Sequence, residues 1–162
     1  MKLAGNKKTI GWKEWFAFEK LGLPAINGKI DTGAKTSCLH AFNIEPFSED
    51  GVDYVKFDIH PLQKNKDVVR SCQAKVVDYR YVSDSGGKKE KRYVIKSPLK
   101  IGKKTVVIEI TLANRDTMAF RMLLGREAIK KAKMLVDPSK FFLQGKLKRS
   151  KVAKLYKKIN NL

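Results

Sequence analysis

Ala25-Ile26-Asn27-Gly28-Lys29-Ile30-Asp31-Thr32-Gly33-Ala34-Lys35-Thr36-Ser37 is the stretch on which the reading of this chain turns. An apolar strand, with Ile26 and Ile30 on one face, runs straight into an acid, a β-branched hydroxyl residue and a glycine. Acid-plus-glycine triplets end many strands in ordinary turns, so the triplet alone has two readings. Asp31 either closes a strand or is presented by a tight loop as a working carboxylate.

Outward from that point the chain is rich in short β segments broken by turn residues. Trp15 to Phe18 is one such segment. Asp53 to Ile59 places Val55, Phe57 and Ile59 together, and 105–112 places Val106, Ile108, Ile110 and Leu112 together. Ser48-Glu49-Asp50-Gly51 separates two strand-like runs and ends on the Asp-Gly signal of a hairpin turn. A longer hairpin pairs about 68–82 with 91–97 through Ser83-Asp84-Ser85-Gly86-Gly87, whose two glycines give a mobile tip. The first internal helix is expected at Arg126 to Ala132, directly after Met122-Leu123-Leu124-Gly125. The expected fold is mainly β, a barrel or sandwich with one short helix and a second helix at the C-terminus.

Charge is the unusual bulk property. The 162 residues hold 35 Lys+Arg against 16 Asp+Glu, a formal net charge of +19. Such an excess draws polyanions: nucleic acid, an anionic surface or an acidic peptide. Residues 146–162 hold seven of these cations and no acid, with Val152, Leu155, Tyr156, Ile159 and Leu162 at helical spacing. This is a basic amphipathic tail distinct from the main domain, 1–145. It either touches RNA or another partner weakly or packs its apolar stripe on its own domain. No run approaches the roughly 18 apolar residues of a membrane span. Two cysteines, Cys38 and Cys72, make no disulfide framework, and the N-terminal residues have no secretory pattern, so the expected setting is cytoplasmic.

Leu123-Leu124-Gly125-Arg126 changes the weight of Asp31. An apolar pair followed by Gly and opening a helix, far downstream of Asp-Thr-Gly, resembles the retropepsin-like aspartic peptidases, half-sized enzymes that work as dimers. The resemblance covers about Ile10 to Gln144. It is carried by Gly11 to Trp15, Ala25 to Ala41, Ile59 to Gln63, Ser83 to Gly87 and Asn114 to Arg126, and it is close to a bacterial family often labelled ATP-dependent zinc protease. It implies a closed retropepsin-like barrel and an Asp31 dyad formed across a homodimer. Two carboxyls so close hold a single proton, one activating water and the other polarising the carbonyl. It also implies an association with ATP-grasp ligases that add glutamates. On this pattern Asp31, Thr32 and Gly33 form the catalytic loop, with Thr32 bonding across the axis. Ala34 and Lys35 meet substrate, and Ser85, Gly86 and Gly87 either close over it as a flap or form a plain exposed hairpin. The Asn114-Arg115-Asp116 run, with Arg115, either builds a polar subsite or is a structural turn before Met122–Gly125. Thr36, Ser37, Leu124, Gly125 and Arg126 support the loop, with Gly125 allowing two backbones to approach.

One position departs from the viral pattern. Where that pattern has an Asp that pairs with the Arg of Gly-Arg, this chain has Lys35, so Arg126 cannot make the pair. A cation there, in a +19 chain, favours an acidic or polyglutamate substrate. The zinc of the family label finds no His-Glu-x-x-His helix, and the separations among Cys38, His40, His60 and Cys72 match no common zinc pattern. There is no phosphate-binding Gly-rich loop with Lys-Ser/Thr either, so no metal and no cofactor is expected. The competing reading keeps the fold but not the chemistry: a basic module that holds RNA, the ribosome or a glutamate-ligase partner.

Overall fold

Alternation of apolar and polar residues fixes most of the architecture. The computed structural model describes residues 7–84, 86–115 and 119–160. Its strands are β1 (Lys8–Ile10), β2 (Lys13–Phe18), β3 (Leu23–Asp31), β4 (Ser37–His40), β5 (Phe42–Glu49), β6 (Val52–Ile59), β7 (Arg70–Ser83), β8 (Lys89–Ile101), β9 (Lys104–Ala113), β10 (Met122–Gly125) and β11 (Met134–Val136). Helix α1 (Arg126–Lys131) follows β10 directly, α2 (Arg149–Asn160) lies near the C-terminus, and a 3-10 turn occupies Glu19–Leu21.

Nine strands form one sheet in the order β2-β3-β10-β4-β9-β8-β7-β6-β5, and Ala17 of β2 also pairs with Lys100 of β8. The mainly β expectation is met. The two predicted hairpins are β5–β6 and β7–β8. At the β5–β6 tip, Asp50 and Gly51 both have positive φ, +52° and +77°. That is the backbone a two-residue hairpin turn demands, and Asp-Gly supplies it at little cost. The pattern of β9 matches its predicted face, with Ile108, Ile110 and Leu112 buried and Val107 and Glu109 open. β3 behaves differently: Ala25, Ile26, Asn27 and Gly28 are buried in succession, because β2 and β10 flank it and both its faces are covered.

β10 joins the sheet between β3 and β4, parallel to the first and antiparallel to the second. This crossing is non-local, and it places the residues around Gly125 against those around Asp31. A second small sheet pairs β1 with β11 in parallel. The chain then returns across β2, where buried Glu14 accepts backbone N–H bonds from Gly11 (2.7 Å), Leu143 (3.0 Å) and Gln144 (3.0 Å). One carboxylate thus ties the β1–β2 turn to the segment before α2.

Helix α2 lays Val152 and Tyr156 into the main core, at 2% and 0% exposure. The Tyr156 hydroxyl donates to Ala25 O of β3, and the Arg70 guanidinium donates to Tyr156 O. Lys151, Lys154, Lys157 and Lys158 stay exposed on the other face. Of the predicted apolar stripe, Leu155 is half-buried, the Ile159 side chain is not described, and Leu162 lies outside the described residues. Among the described residues no helix is long and apolar enough to cross a membrane.

Candidate active site

Asp31 ends β3 and lies in register with Gly125 of β10. The loop it opens is braced from within, with Gly33 N–H donating to Asp31 Oδ1 at 3.0 Å and Ala34 N–H to Asp31 O at 3.2 Å. It is braced again from β10 and α1. Gly125 N–H donates to Ser37 Oγ (3.0 Å), Arg126 N–H to Ala34 O (2.8 Å), Glu127 N–H to Lys35 O (3.1 Å), and Arg126 Nη1 to Gly33 O (3.1 Å). The first turn of a helix has N–H groups with no partner inside the helix. Here the loop carbonyls take two of them, so helix and loop fix each other.

Gly125 is required by space. A Cβ on it would lie 2.7 Å from Thr36 C, 2.9 Å from Thr36 O and 3.0 Å from Ala34 O, all backbone atoms. Leu124 beside it is fully buried. Thr111 Oγ1 also donates to Ser37 O, extending the brace into β9.

Asp31 is half-buried at the edge of a cleft of about 1210 Å³. Gly33, Ala34, Lys35, Thr36, Ser37 and Arg126 share that cleft with it, and so does Arg115 from the segment after β9. Thr32 is exposed and is not on the cleft wall, and neither are Gly86 and Gly87 at the β7–β8 tip. Ser85 lies outside the described residues, as does Asp116 of the Asn114-Arg115-Asp116 run. The tip is organised by Asp84. Its Oδ1 accepts from Gly86 N–H (2.9 Å) and Lys88 N–H (2.8 Å), and its Oδ2 lies 3.9 Å from Arg115 Nη2. That ion pair links the hairpin tip to the segment after β9. The Arg115 N–H in turn donates to Nδ1 of buried His40 (2.8 Å).

Cations outnumber acids on the cleft wall, eight to four, so it is electropositive where a substrate would lie. Two of these cations, Arg80 and Arg92, come from the inner face of the β7–β8 hairpin. The sequence reading missed both, and it missed Glu14. The signal for the arginines was present only as alternation within each strand, because the register that pairs them becomes visible in the folded hairpin. Arg92 Nη1 lies 3.7 Å from the thiol of Cys38, which burial pushes above the ordinary cysteine range and which Arg92 partly restores. Both cysteines are free thiols. Cys38 sits on β4 with His40, and Cys72 lies on β7 with its Sγ on Leu21 O. Among the described residues no three His, Cys, Asp or Glu side chains come together in a way that could hold a metal ion.

Residues 9–147 match the RimB-like family model, described as retropepsin-like aspartic endopeptidase RimB. The chain belongs to this family. Its fold is also that of a solved protein of unknown function from Legionella pneumophila, 28% identical, with a TM-score of 0.70 over 85% of this chain and 98% of that one. Among curated proteins it is 47% identical over 154 residues to a probable alpha-L-glutamate ligase of Shewanella pealeana, covering 95% of this chain and 33% of that protein. A protein of the same name from Desulfotalea psychrophila is 46% identical over 152 residues, 94% of this chain and 32% of its own length. The chain therefore spans about a third of the curated relatives it matches.

Proposed function

We propose that this chain is a cytoplasmic aspartic peptidase that hydrolyses peptide bonds in acidic, glutamate-rich segments, through a dyad of Asp31 from two copies of the chain. The observation that carries the reading is the Asp31 loop, locked onto Gly125 and Arg126 at the edge of a cation-rich cleft. A single carboxylate cannot act as base and acid together, so a two-fold axis supplies the second. Thr32, exposed beside Asp31, is free to bond across that axis. Gly33, Ala34 and Lys35 offer backbone and charge to the substrate, with Arg115 across the cleft. Gly86 and Gly87 of the β7–β8 tip close over the substrate as a flap once the 3.9 Å Asp84–Arg115 pair gives way.

Two independent facts support the choice of substrate. The cleft wall is net positive, and the curated relatives that contain a matching region are named as glutamate ligases. A peptidase beside a glutamate-adding partner would meet glutamate tails as its natural supply.

Incubation of a glutamate-tailed peptide with wild type and Asp31→Asn across pH tests this. The wild type should cleave with a bell-shaped profile, because the dyad works only when it holds one proton. Asp31→Asn should lose cleavage while keeping its thermal melt. Equal rates for the two proteins would remove the peptidase reading. In that case salt-sensitive binding of RNA or acidic protein that ignores Asp31→Asn would favour the basic binding module instead.

A further inference from the structure

Arg80 and Arg92 are directly opposed across the β7–β8 ladder, both on the cleft wall. Like charges in that position repel and cost stability. Arg80 is compensated by Asp78 Oδ2 at 3.0 Å and Glu109 Oε2 at 3.4 Å. Arg92 is far more buried, with 6% of its side chain exposed, yet it is held more loosely. Its Nε and Nη2 reach a single oxygen of Glu90 at 3.4 and 3.3 Å, and among the described residues its Nη1 reaches only the Cys38 thiol at 3.7 Å. Charge-assisted N–H···O bonds are normally about 2.7–2.9 Å, and a guanidinium prefers to meet both oxygens of a carboxylate side by side. A buried cation with partners this long is costly to keep, and a well-placed second anion would repay it. Glu90 itself is 47% exposed, so its carboxylate is readily hydrated once another anion takes its place on Arg92.

We infer that Arg92 is the specificity-determining residue of this cleft, taking the side-chain carboxylate of a substrate glutamate, and that Glu90 rests on it as an internal stand-in that the substrate displaces. The substrate class rests on the peptidase reading, but the subsite can be tested without cleavage. Glu90 shows that a glutamate carboxylate can approach this guanidinium. Arg80 keeps the wall positive when Glu90 departs, and Cys38 adds a small neutral side chain that does not compete for the charge.

The test is binding of a fluorescent oligoglutamate peptide, read by anisotropy, to the full chain carrying Asp31→Asn so that nothing is cleaved. Adding Glu90→Gln should tighten binding about threefold or more, because the resident competitor is gone. Glu19→Gln makes the same change in net charge at an exposed site away from the cleft and should leave affinity unchanged. Arg92→Gln should weaken binding about tenfold, with Arg92→Lys recovering part of the loss. An oligoglutamine peptide should not distinguish the variants. If Glu90→Gln fails to tighten binding, or if Glu19→Gln tightens it equally, the subsite is wrong. Should Arg92→Gln not fold, as judged by its melt, the Glu90 and Glu19 pair decides alone. Wild type that never cleaves while these affinities behave as expected sinks the peptidase reading and leaves the subsite standing. Cleavage of glutamate peptides with no response to Glu90→Gln does the reverse.

Discussion

At the scale of single residues, Gly125 and Cys72 make opposite demands. Gly125 needs the absence of a side chain, since a Cβ would press on backbone atoms of Thr36 and Ala34 that cannot rotate away. Gly125→Ala should therefore destabilise the chain by about 1–3 kcal/mol. It should also lower cleavage more than that loss explains, because the shift falls on the Asp31 loop. A thermal melt beside a rate measurement separates the two effects. Cys72 needs its burial: desolvation, with Asp58 adding to it, pushes the thiol from 9.0 up to about 12. A raised thiol pKa means that the unfolded chain loses its proton first as pH climbs. Between about 9 and 12 the folded state thus binds more protons, and stability falls with pH through that window. Urea midpoints at pH 8 and pH 11 should drop less in Cys72→Ala than in wild type. An equal drop in both would show that the thiol contributes nothing to alkaline unfolding.

At the scale of elements, the chain is held by ties between segments far apart in sequence. Glu14 gathers three backbone N–H groups from two segments. Glu14→Ala would orphan them, at a cost of about 3 kcal/mol in all. Hydrogen exchange should then speed up at Leu143 and Gln144 well before it does in the core strands. Helix α2 is tied by the Tyr156 hydroxyl to Ala25 O. Tyr156→Phe keeps the packing and loses one hydrogen bond, so a destabilisation of about 1 kcal/mol is expected by denaturant titration. A larger loss would mean the hydroxyl also positions β3, and with it Asp31. The hairpins were legible because their turns are local: Asp50-Gly51 and the Gly86-Gly87 tip announce themselves. Three short strands, β1, β4 and β11, have no such local signal, and β5 was legible only as an unbounded run before the Asp50-Gly51 turn. β1, β4 and β11 span three or four residues each, too few for a period of two to stand out. β5 reaches the sheet edge with Pro46 in its middle and almost no buried residue.

At the scale of the whole molecule, two expectations concern assembly and field. If the working site needs two copies of Asp31, specific activity should fall as the enzyme is diluted through its dimer dissociation, and a constant specific activity over that range would rule the shared dyad out. The positive cleft makes a second demand. Raising salt from 50 to 500 mM should raise KM for a glutamate-rich peptide several-fold and leave kcat nearly unchanged, since screening weakens encounter and binding rather than the dyad. A neutral peptide of the same length should show little response.

The sequence by itself determined the local devices of this protein. These are the strand that delivers Asp31, the Asp-Thr-Gly turn, the glycine at 125 that opens α1, the alternation of β6 and β9, and the charge of +19. Each is written in residues that are neighbours along the chain, where steric preference and a period of two suffice. The family resemblance implied that Gly125 approaches the Asp31 loop, but only the tertiary structure decided the register in which these devices meet. The parallel pairing of β10 with β3, the opposition of Arg80 and Arg92, the burial of Glu14 and the seating of Tyr156 on β3 all depend on cross-strand register and on which face is covered. Those are settled by packing between distant segments. Asp31 was visible as a candidate from its own triplet, but the cationic cleft it borders exists only after the chain has folded.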